Sequence, residues 1–453
     1  MSIITRFAPS PSGNLHLGGA RTALFNFLFA KSNNGKFLLR IEDSDKQRTT
    51  QESIDNIING LNWLGINFDE SVYFQSKQLR KHTNIAESLI SNGLAYKCFH
   101  DQTYIDRFNI TKSKFVSEWR DIPSKKHPKN KSFCIRIKSP SSDTFKISDK
   151  IQGNIEIDTV EIDDYIIVRS DGTPTFLLSS AVDDYEMSVS HIIRGDDHLT
   201  NSFRQKVLFD FLNYKPTFAH ISLIHNEKNE KLSKRDNAPS ILDFKDKGFL
   251  PEAINNYLLR LGWSYGDKEF FTVKEAIELF NLSNIGKSPS KYDNKKIEFL
   301  NNHYLKNTED KYLMGLIKNL KDISLLYKNF NEDSILMMIN LFKERATSIL
   351  DIIDSMMSIY NESKEFNEDE NLIIENILKN KKIIINNFDN IIIWNSKEIE
   401  EKVNKTIVDL ELSFKSFAQP IRLLVTGKIN GPSISKLIEI LGKNKFIKML
   451  KNL

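Results

Sequence analysis

Two segments that lie far apart in the chain carry side chains able to bind the phosphates of a nucleotide. The first, PSPSGNLHLGG, begins at Pro9 and places an imidazole, His16, and two glycines, Gly18 and Gly19, where a helix is expected to begin. Unpaired backbone N–H groups and the positive end of the helix dipole favour phosphate there, and glycines let a nucleotide approach the backbone closely. Ser10 joins these residues as a candidate ATP ligand. The alternative is that His16 caps the helix and the glycines form a turn.

The second segment, KLSKR, begins at Lys231 and follows an apolar run. Its ammonium groups, on Lys231 and Lys234, could hold a triphosphate while the leaving pyrophosphate gains charge. In a reaction without a covalent enzyme intermediate, catalysis depends on positioning and on donors aimed at developing charge. With His16 and Gly18 the two lysines form the candidate catalytic set, in which Lys234 is the main candidate. A solvated charged turn is the alternative, and Arg235 could equally be structural.

The start of the chain is patterned as a β-α-β unit. Ile3–Ala8 and Phe37–Ile41 are short apolar runs, and apolar residues at helical spacing connect them from Gly18 to about Ser32. Parallel strands joined by a helix imply a doubly wound sheet, whose ligands bind beyond the carboxyl ends of the strands. The residues that this arrangement brings to one rim are Ala8, Ser10, His16 and Glu42.

Length and composition indicate a globular protein of several domains. The chain has 453 residues, 40% hydrophobic and 27% charged, whereas a single core rarely exceeds roughly 250–300 residues. A net charge of +4 permits a polyanionic partner without requiring one. Cys98 and Cys134 are too few for a disulfide framework, and the start MSIITRF lacks the features of a signal peptide. No segment approaches the roughly 20 apolar residues of a membrane span, so we expect a cytoplasmic protein without a membrane partner.

Longer motifs identify the family that the chain resembles. The order and separation of the two phosphate-binding segments resemble the signatures of class I aminoacyl-tRNA synthetases, and the whole chain closely resembles the bacterial glutamyl-tRNA synthetases. The segments that carry the resemblance are PSPSGNLHLGGARTALFNFLFA (Pro9–Ala30), RIEDSD (Arg40–Asp45), DGTPTFLLSSAVDD (Asp171–Asp184), IRGDDHLTN (Ile193–Asn201) and KLSKRD (Lys231–Asp236). The resemblance implies an α/β doubly wound (Rossmann-like) catalytic domain with an α+β insertion, followed by an all-α C-terminal half.

By resemblance, one set of residues matches positions that bind the amino acid glutamate. They are Arg6, Ala8, Ser10, Glu42, Phe176, Ser180 and Arg194. The arginine fork suits bidentate pairing with a carboxylate, so Arg6 and Arg194 fit glutamate, while Glu42 would take its ammonium group. Two alternatives stay open, because Arg6 could pair with a carboxylate such as Asp43 and Arg194 could belong to an internal salt bridge.

Two of these positions depart from the family pattern. Phe176 and Ser180 stand where the resembling family usually has Tyr and Asn. A phenol hydroxyl and an amide are therefore lost, and with them fixed hydrogen bonds of the pocket. The choice between glutamate and a related substrate depends on such bonds and stays open at these positions.

The resemblance also implies a domain order. The predicted segments are 1–95 and 177–240 for the two halves of the catalytic domain, 96–176 for an inserted domain that holds the tRNA acceptor end, 241–320 for a helical stem-contact domain, and 321–453 for a helical anticodon-binding domain. Many relatives hold zinc in the insertion with four Cys or His ligands. Here Cys98 and His100 lack a second pair at ligand spacing, because the matching stretch offers only His127 and Cys134 lies in a strand-like run. We therefore expect no zinc.

Beyond KLSKR the apolar spacing is helical, which predicts an all-helical second half. The clearest segments are Leu250–Leu261, Ile335–Ile353, Leu372–Ile385 and Ile399–Leu412. The last part of the chain has a basic excess against Glu439, formed by Lys415, Arg422, Lys428, Lys436, Lys443, Lys445, Lys448 and Lys451. Such an excess suits phosphate contacts, although charge alone also fits a solvated helical surface. The resemblance favours a helical cage around the tRNA anticodon.

The resemblance thus predicts a monomeric, ATP-dependent ligase that activates L-glutamate as the adenylate with Mg²⁺ and transfers it to the 3′ end of tRNA(Glu). One alternative is a non-discriminating or tRNA(Gln)-directed paralogue. An alternative of another class is a non-catalytic paralogue that only binds RNA, for which Phe176 and Ser180 are the only support. The intact HLGG and KLSKR segments count against it.

Overall fold

The computed structural model describes residues 2–45, 48–100, 104, 115–140, 144–158, 162–232, 239–360 and 365–453. The chain divides into two compact units. The first comprises Met1–Phe244 and Ile254–Asn294, and the second comprises Lys245–Ala253 and Lys295–Leu453.

Short strands, most of them paired in parallel, form the frame of the first unit. In chain order they are β1 (Ile4–Phe7), β2 (Lys36–Ile41), β3 (Tyr73–Phe74), β4 (Ala95–Cys98), β5 (Cys134–Ile137), β6 (Thr144–Asp149), β7 (Gly153–Asp158), β8 (Ile166–Val168), β9 (His191–Gly195), β10 (Thr217–Ile221), β11 (Ile224–His225) and β12 (Ser290–Lys291). Strands β1, β2 and β3 pair in parallel, as do β6, β10 and β9, while β7 pairs antiparallel with β6. The backbone N–H of Ser190 donates to the carbonyl of Ile4 over 2.9 Å, which places β9 beside β1. The predicted β-α-β start and doubly wound sheet are confirmed.

The segment predicted as an insertion contributes strands to two sheets. Strands β4, β5 and β8 form an antiparallel sheet of their own. Strand β6 instead pairs with β10 of the main sheet through Phe218 and Asp149. The bounds 96–176 of an inserted domain stay a prediction.

Helices flank the sheet and make up the second half of the chain. In order they are α1 (Leu17–Ser32), α2 (Gln51–Trp63), α3 (Leu79–Ser91), α4 (Phe176–Glu186), α5 (Leu199–Phe211), α6 (Ile241–Asp246), α7 (Pro251–Arg260), α8 (Val273–Leu279), α9 (Asn294–Asn307), α10 (Asp310–Leu320), α11 (Ser324–Asn329), α12 (Glu332–Lys343), α13 (Ile349–Tyr360), α14 (Glu368–Asp389), α15 (Ser396–Asp409), α16 (Phe414–Thr426), α17 (Ile434–Leu441) and α18 (Lys443–Asn452). From α9 onward the described residues contain helices and no strand, so the all-α C-terminal half is confirmed.

Helix α1 is buried on nearly all sides because its apolar residues are not confined to one stripe. Two of its buried polar side chains donate hydrogen bonds to backbone carbonyls. Asn26 Nδ2 donates to Ile193 over 3.0 Å, and Arg21 Nη1 donates to Leu261 over 2.9 Å. The first of these bonds ties the middle of the helix to the middle of β9.

The second unit is built around a core of apolar side chains from successive helices. Its helix ends follow ordinary capping rules: Asn367 and Glu370 form a capping box at the start of α14, and Gly427 ends α16 in the left-handed conformation at φ 71°. Within the parts of the chain that the structure describes, no helix is long and apolar enough to cross a membrane.

Candidate active site

A cavity of about 700 Å³ lies at the carboxyl ends of β1, β2 and β9, where doubly wound sheets bind ligands. Eleven of the predicted site residues line it. They are Arg6, Ala8, Ser10, His16, Gly18, Gly19, Glu42, Phe176, Ser180, Arg194 and Lys231. Lys234, the main catalytic candidate, and Arg235 lie outside the described residues. The cavity thus joins the nucleotide-binding candidates to the amino-acid-binding candidates.

His16 is the N-cap residue of α1 and also lines the cavity. Its Nδ1 accepts a hydrogen bond from the backbone N–H of Gly19 over 3.2 Å, so the proton of the neutral imidazole is on Nε2. A Cβ atom on Gly18 would lie 3.3 Å from the imidazole, and one on Gly19 would lie 3.2 Å from Leu15 Cδ1. His16 therefore does cap the helix, and the same ring takes part in the cavity wall.

Lys231 follows a tight turn in which the backbone N–H of Asn226 donates to the carbonyl of Glu230 over 2.8 Å. The Nζ atom lies 2.7 Å from Asp197 Oδ2, and the lysine side chain is 60% exposed. Burial, the largest single influence, acts to raise the pKa of Asp197, but the hydrogen bond to Lys231 and the positive charges of His198 and Lys231 together lower the pKa below its usual value. An exposed pair of this kind adds little stability, yet it holds an ammonium group at the cavity rim.

Arg6 lies in a buried cluster of opposite charges. Its Nε and Nη2 atoms donate to the two carboxylate oxygens of Asp184 over 2.9 and 3.4 Å. Arg40 donates from Nη1 to Asp184 Oδ1 over 2.6 Å. Burial would raise the pKa of Asp184, but the charges of Arg40 and Arg6 lower it to about 2. Arg6 is therefore paired with a carboxylate, as one alternative held, but the partner is Asp184, while Asp43 accepts hydrogen bonds from Ser76.

Glu42 extends from the end of β2 into the cavity wall. Its backbone N–H donates to the carbonyl of Pro9 over 3.0 Å, and Oε1 accepts from Arg40 Nη2 over 3.2 Å. Burial raises the pKa of Glu42, and the positive charge of Arg40 only partly opposes this. The carboxylate is held at the same end of the sheet as the guanidinium of Arg6.

Arg194, on β9, is the second buried arginine of the cavity, and its partners are neutral. Its Nη2 donates to Ser202 Oγ over 2.6 Å and to Gln205 Oε1 over 3.0 Å, and Nε donates to His220 Nε2 over 3.2 Å. Among the described residues, Nη1 has no hydrogen-bond partner and no carboxylate forms an ion pair with this guanidinium. Burial lowers the pKa of Arg194 to about 9. Arg194 therefore forms no internal salt bridge with the described residues, and that alternative is not supported.

His220 connects Arg194 to a carboxylate of β6. Its Nδ1 lies 2.6 Å from Asp149 Oδ2, and both side chains are fully buried. Because Arg194 Nε–H can only donate, His220 Nε2 must accept, and the ring proton lies on Nδ1, where it is donated to Asp149. Burial lowers the pKa of His220 despite its bond to Asp149. The imidazole is therefore neutral between two charged groups.

Phe176 and Ser180 lie one helical turn apart on α4 and line the cavity. The Phe176 ring centroid is 5.5 Å from that of His198. Ser180 is buried, and its Oγ accepts from Gln205 Nε2 over 3.4 Å. Gln205 thus contacts both Ser180 and Arg194, so the departures from the family pattern lie beside the arginine.

The two cysteines of the predicted insertion are neighbours, while its histidines have other partners. Cys98 and Cys134 face each other as register partners on β4 and β5. His100 Nε2 lies 2.9 Å from Glu118 Oε2, and His127 Nε2 lies 3.1 Å from the carbonyl of Ile122. Among the described residues there is no group of three or more His, Cys, Asp or Glu side chains placed to hold a metal ion.

The sequence pattern does not single out Asp184, Arg40 and His220, which shape the charge of the site. Two signals were available. Asp184 ends the stretch LLSSAVDD, half of whose residues are apolar, and His220 lies inside the apolar run of β10. A charged or titratable residue within a buried run requires a partner, so both positions could have been proposed as paired groups.

Two family models match the chain. Residues 2–299 match the class I tRNA synthetases (E and Q), catalytic domain. Residues 288–453 match an anticodon binding domain. Together the two models extend over nearly the whole chain.

The chain is also similar to individual proteins along its whole length. It is 40% identical over 463 residues to a protein of Ehrlichia chaffeensis named "Glutamate--tRNA ligase 2", covering 99% of this chain and 98% of that protein. It is 41% identical to a protein of the same name from Rickettsia bellii, with 99% of each covered. Among solved structures, a glutamate tRNA ligase from Elizabethkingia meningosepticum in complex with its amino acid matches with a TM-score of 0.89 at 28% identity, covering 100% of this chain and 99% of that one.

Proposed function

The chain belongs to the class I tRNA synthetases of the glutamate and glutamine type, and on that basis we propose that it is a glutamate–tRNA ligase. It would activate L-glutamate with ATP and transfer the glutamyl group to the 3′ end of tRNA(Glu). One observation carries the proposal. Arg194 is a buried guanidinium with no ion-pair partner among the described residues, and it shares a cavity with His16 and Lys231.

Arg194 and Glu42 supply the charges that a bound amino acid needs. A buried cation without a counter-ion is costly, and a substrate carboxylate at Arg194 Nη1 removes that cost. Glu42 offers a carboxylate to the ammonium group. Arg6 is already paired with Asp184 and donates from Nη1 to the carbonyl of Ile193, so we assign it mainly to the cavity wall. Ala8, Ser10, Phe176 and Ser180 would complete the glutamate site.

We assign the nucleotide to the other side of the same cavity. Ser10, His16, Gly18 and Gly19 surround the start of α1, where the helix N-terminus favours phosphate. His16 brings its imidazole to this helix start, and the missing Cβ atoms of the glycines leave the backbone open to the nucleotide. Mg²⁺ would enter with the triphosphate as part of the substrate.

In the first step, a carboxylate oxygen of glutamate would attack the α-phosphorus of ATP. An oxygen–phosphorus bond forms, the bond to the bridging oxygen breaks, and pyrophosphate leaves with that electron pair. Lys231, together with Lys234 as proposed from its spacing, would stabilise the charge that grows on pyrophosphate. In the second step a ribose hydroxyl of the terminal nucleotide attacks the glutamyl carbonyl, and AMP leaves.

The tRNA would contact the protein through both its acceptor end and its anticodon. Residues 288–453 match an anticodon binding domain, and this half carries the basic excess noted in the sequence. Within the second unit, a cavity of about 320 Å³ between α12, α13 and the turn after α16 is lined by Arg345 and Lys428 and also by Asp351 and Asp354. The two basic side chains suit contacts to phosphates or bases of the anticodon loop. We further propose that the protein acts as a monomer in the cytoplasm.

Aminoacylation of purified tRNA(Glu) and tRNA(Gln) with labelled glutamate tests the proposal. We expect tRNA(Glu) to be charged in an ATP-dependent reaction that releases AMP and pyrophosphate. Preferential charging of tRNA(Gln) would instead assign the protein as the tRNA(Gln)-directed paralogue. Charging of neither tRNA, with binding of both retained, would identify an RNA-binding protein and contradict a ligase function.

A further inference from the structure

Three neutral acceptors hold two of the three nitrogen atoms of the Arg194 guanidinium. Ser202 and Gln205 accept from Nη2, and His220 accepts from Nε. Each of these acceptors is fully buried, and Arg194 itself is 6% exposed. The plane of the guanidinium is therefore fixed by bonds at one side, and Nη1 is the nitrogen that remains for a ligand.

The acceptor state of His220 depends on Asp149. Asp149 Oδ1 accepts backbone N–H bonds from Ile151 and Gln152, over 2.9 and 2.8 Å, so this carboxylate is fixed by its own turn. Its Oδ2 takes the His220 Nδ1–H over 2.6 Å. With the proton held on Nδ1, Nε2 is free of hydrogen and accepts from Arg194.

The imidazole also separates two opposite charges. A carboxylate in the position of the ring would neutralise Arg194 in the way that Asp184 neutralises Arg6. The neutral ring, itself held by Asp149, orients the guanidinium of Arg194 without forming an ion pair with it. Arg194 thereby keeps a positive charge that a buried ligand can use.

We propose that Asp149 and His220 are positioning residues for the amino-acid site, which orient Arg194 through a neutral imidazole and so keep its charge available to a substrate carboxylate. This inference rests on the proposed binding of glutamate at Arg194. Neither residue lines the cavity, so both act through Arg194.

The test compares steady-state aminoacylation by the wild-type protein and its variants, with KM measured separately for glutamate and ATP. In His220→Leu the acceptor is lost, and we expect KM for glutamate to rise about tenfold while KM for ATP changes less than about twofold. His220→Gln restores an oxygen that can accept from Arg194 Nε–H, and we expect it to recover most of the loss. An unchanged KM for glutamate in His220→Leu, or an equal rise in both KM values, would overturn the proposal.

Asp149→Asn provides a second variant of nearly the same shape. The amide oxygen would stay on the backbone N–H groups of Ile151 and Gln152, which turns the NH2 group toward His220. The ring proton must then move to Nε2, where it opposes Arg194 Nε–H. We expect KM for glutamate to rise about as much as in His220→Leu. A wild-type KM for glutamate in this variant contradicts the tautomer argument and with it the proposal.

His82→Gln is the matched control. His82 is also fully buried and lies 2.7 Å from an aspartate, Asp183, but it does not line the cavity or bond to Arg194. We expect a similar loss of thermal stability and an unchanged KM for glutamate. A rise in KM equal to that of His220→Leu would show that any buried histidine gives this effect, which overturns the proposal. Failure of the proposed function is distinct, because the wild-type protein itself would then not charge tRNA.

Discussion

Arg6 and Arg194 are both buried, both end in the same cavity, and differ in the charge of their partners. Arg6 is bonded to Asp184, which Arg40 also contacts, so the cluster is held together by opposite charges. Arg194 is bonded to a serine, a glutamine and a neutral histidine. The comparison teaches that residue type and burial do not define an anion site. What defines an anion site is whether the charge of the arginine is already compensated, because only an arginine without an ion pair gains from a substrate carboxylate.

The largest effect is expected when Arg194 is replaced by glutamine. We expect kcat/KM for glutamate to fall about a thousandfold, because a buried charge-assisted contact to the substrate is lost. The free energy of unfolding should change by at most about 1 kcal/mol, since a buried cation without a counter-ion contributes little to stability. Pyrophosphate exchange in the presence of tRNA and urea unfolding measure the two quantities. A large loss of stability with unchanged kcat/KM would reverse the roles assigned to the two arginines.

Arg6→Gln should show the opposite balance. Removing one partner of a buried ion pair leaves Asp184 with Arg40 alone, so we expect the free energy of unfolding to fall by about 3 kcal/mol. The fall in kcat/KM for glutamate should be about tenfold, smaller than in Arg194→Gln. The same two assays give the comparison. Equal losses of activity in both variants would show that the two guanidinium groups share the substrate.

The Arg6 cluster should also make the free energy of unfolding depend on pH in the acid range. The pKa of Asp184 is lowered to about 2 in the folded protein, below its unfolded value of about 4, so its contribution is fully present above about pH 4. As pH falls toward 2, about 2 kcal/mol of stability should be lost. Urea unfolding between pH 5 and pH 2 measures this loss. Asp184→Asn should remove this part of the pH dependence, and an identical acid profile in that variant would contradict the assignment.

The smallest effect is expected at the exposed rim of the cavity. Lys231→Ala should lower kcat for pyrophosphate exchange about tenfold with little change in KM for glutamate, because a solvent-exposed ammonium group stabilises the leaving charge only partly. Lys228→Ala, on the same turn, is the control and should behave as wild type. If Lys228→Ala and Lys231→Ala lose the same activity, Lys231 acts only through the general positive potential of the turn.

Much of the fold follows from the sequence because its signals are local. The β-α-β start, the glycines before α1 and the helical period of the second half depend on residues that are close along the chain. The structure confirms most of these elements to within a few residues, but the predicted helical segment Ile335–Ile353 is divided between α12, which ends at Lys343, and α13, which begins at Ile349. The residues that line the cavity could also be predicted from the sequence, because parallel strands bring the ends of β1, β2 and β9 to one edge of the sheet.

The pairing of charges could not be derived in the same way. Asp184 is 178 residues from Arg6 along the chain, and Asp149 is 71 residues from His220. Which carboxylate meets which arginine depends on sheet order and on how α4 packs. The sequence allowed an ion pair at either Arg6 or Arg194 and named Asp43 as a partner, whereas the structure pairs Arg6 with Asp184.

A structure of the protein with bound L-glutamate tests the central claim most directly. We predict a carboxylate of glutamate about 3 Å from Arg194 Nη1, with Arg6 still bonded to Asp184 and the imidazole of His220 still between Arg194 and Asp149. A glutamate carboxylate bound to Arg6, with Asp184 displaced and Arg194 Nη1 without a ligand contact, would contradict the account.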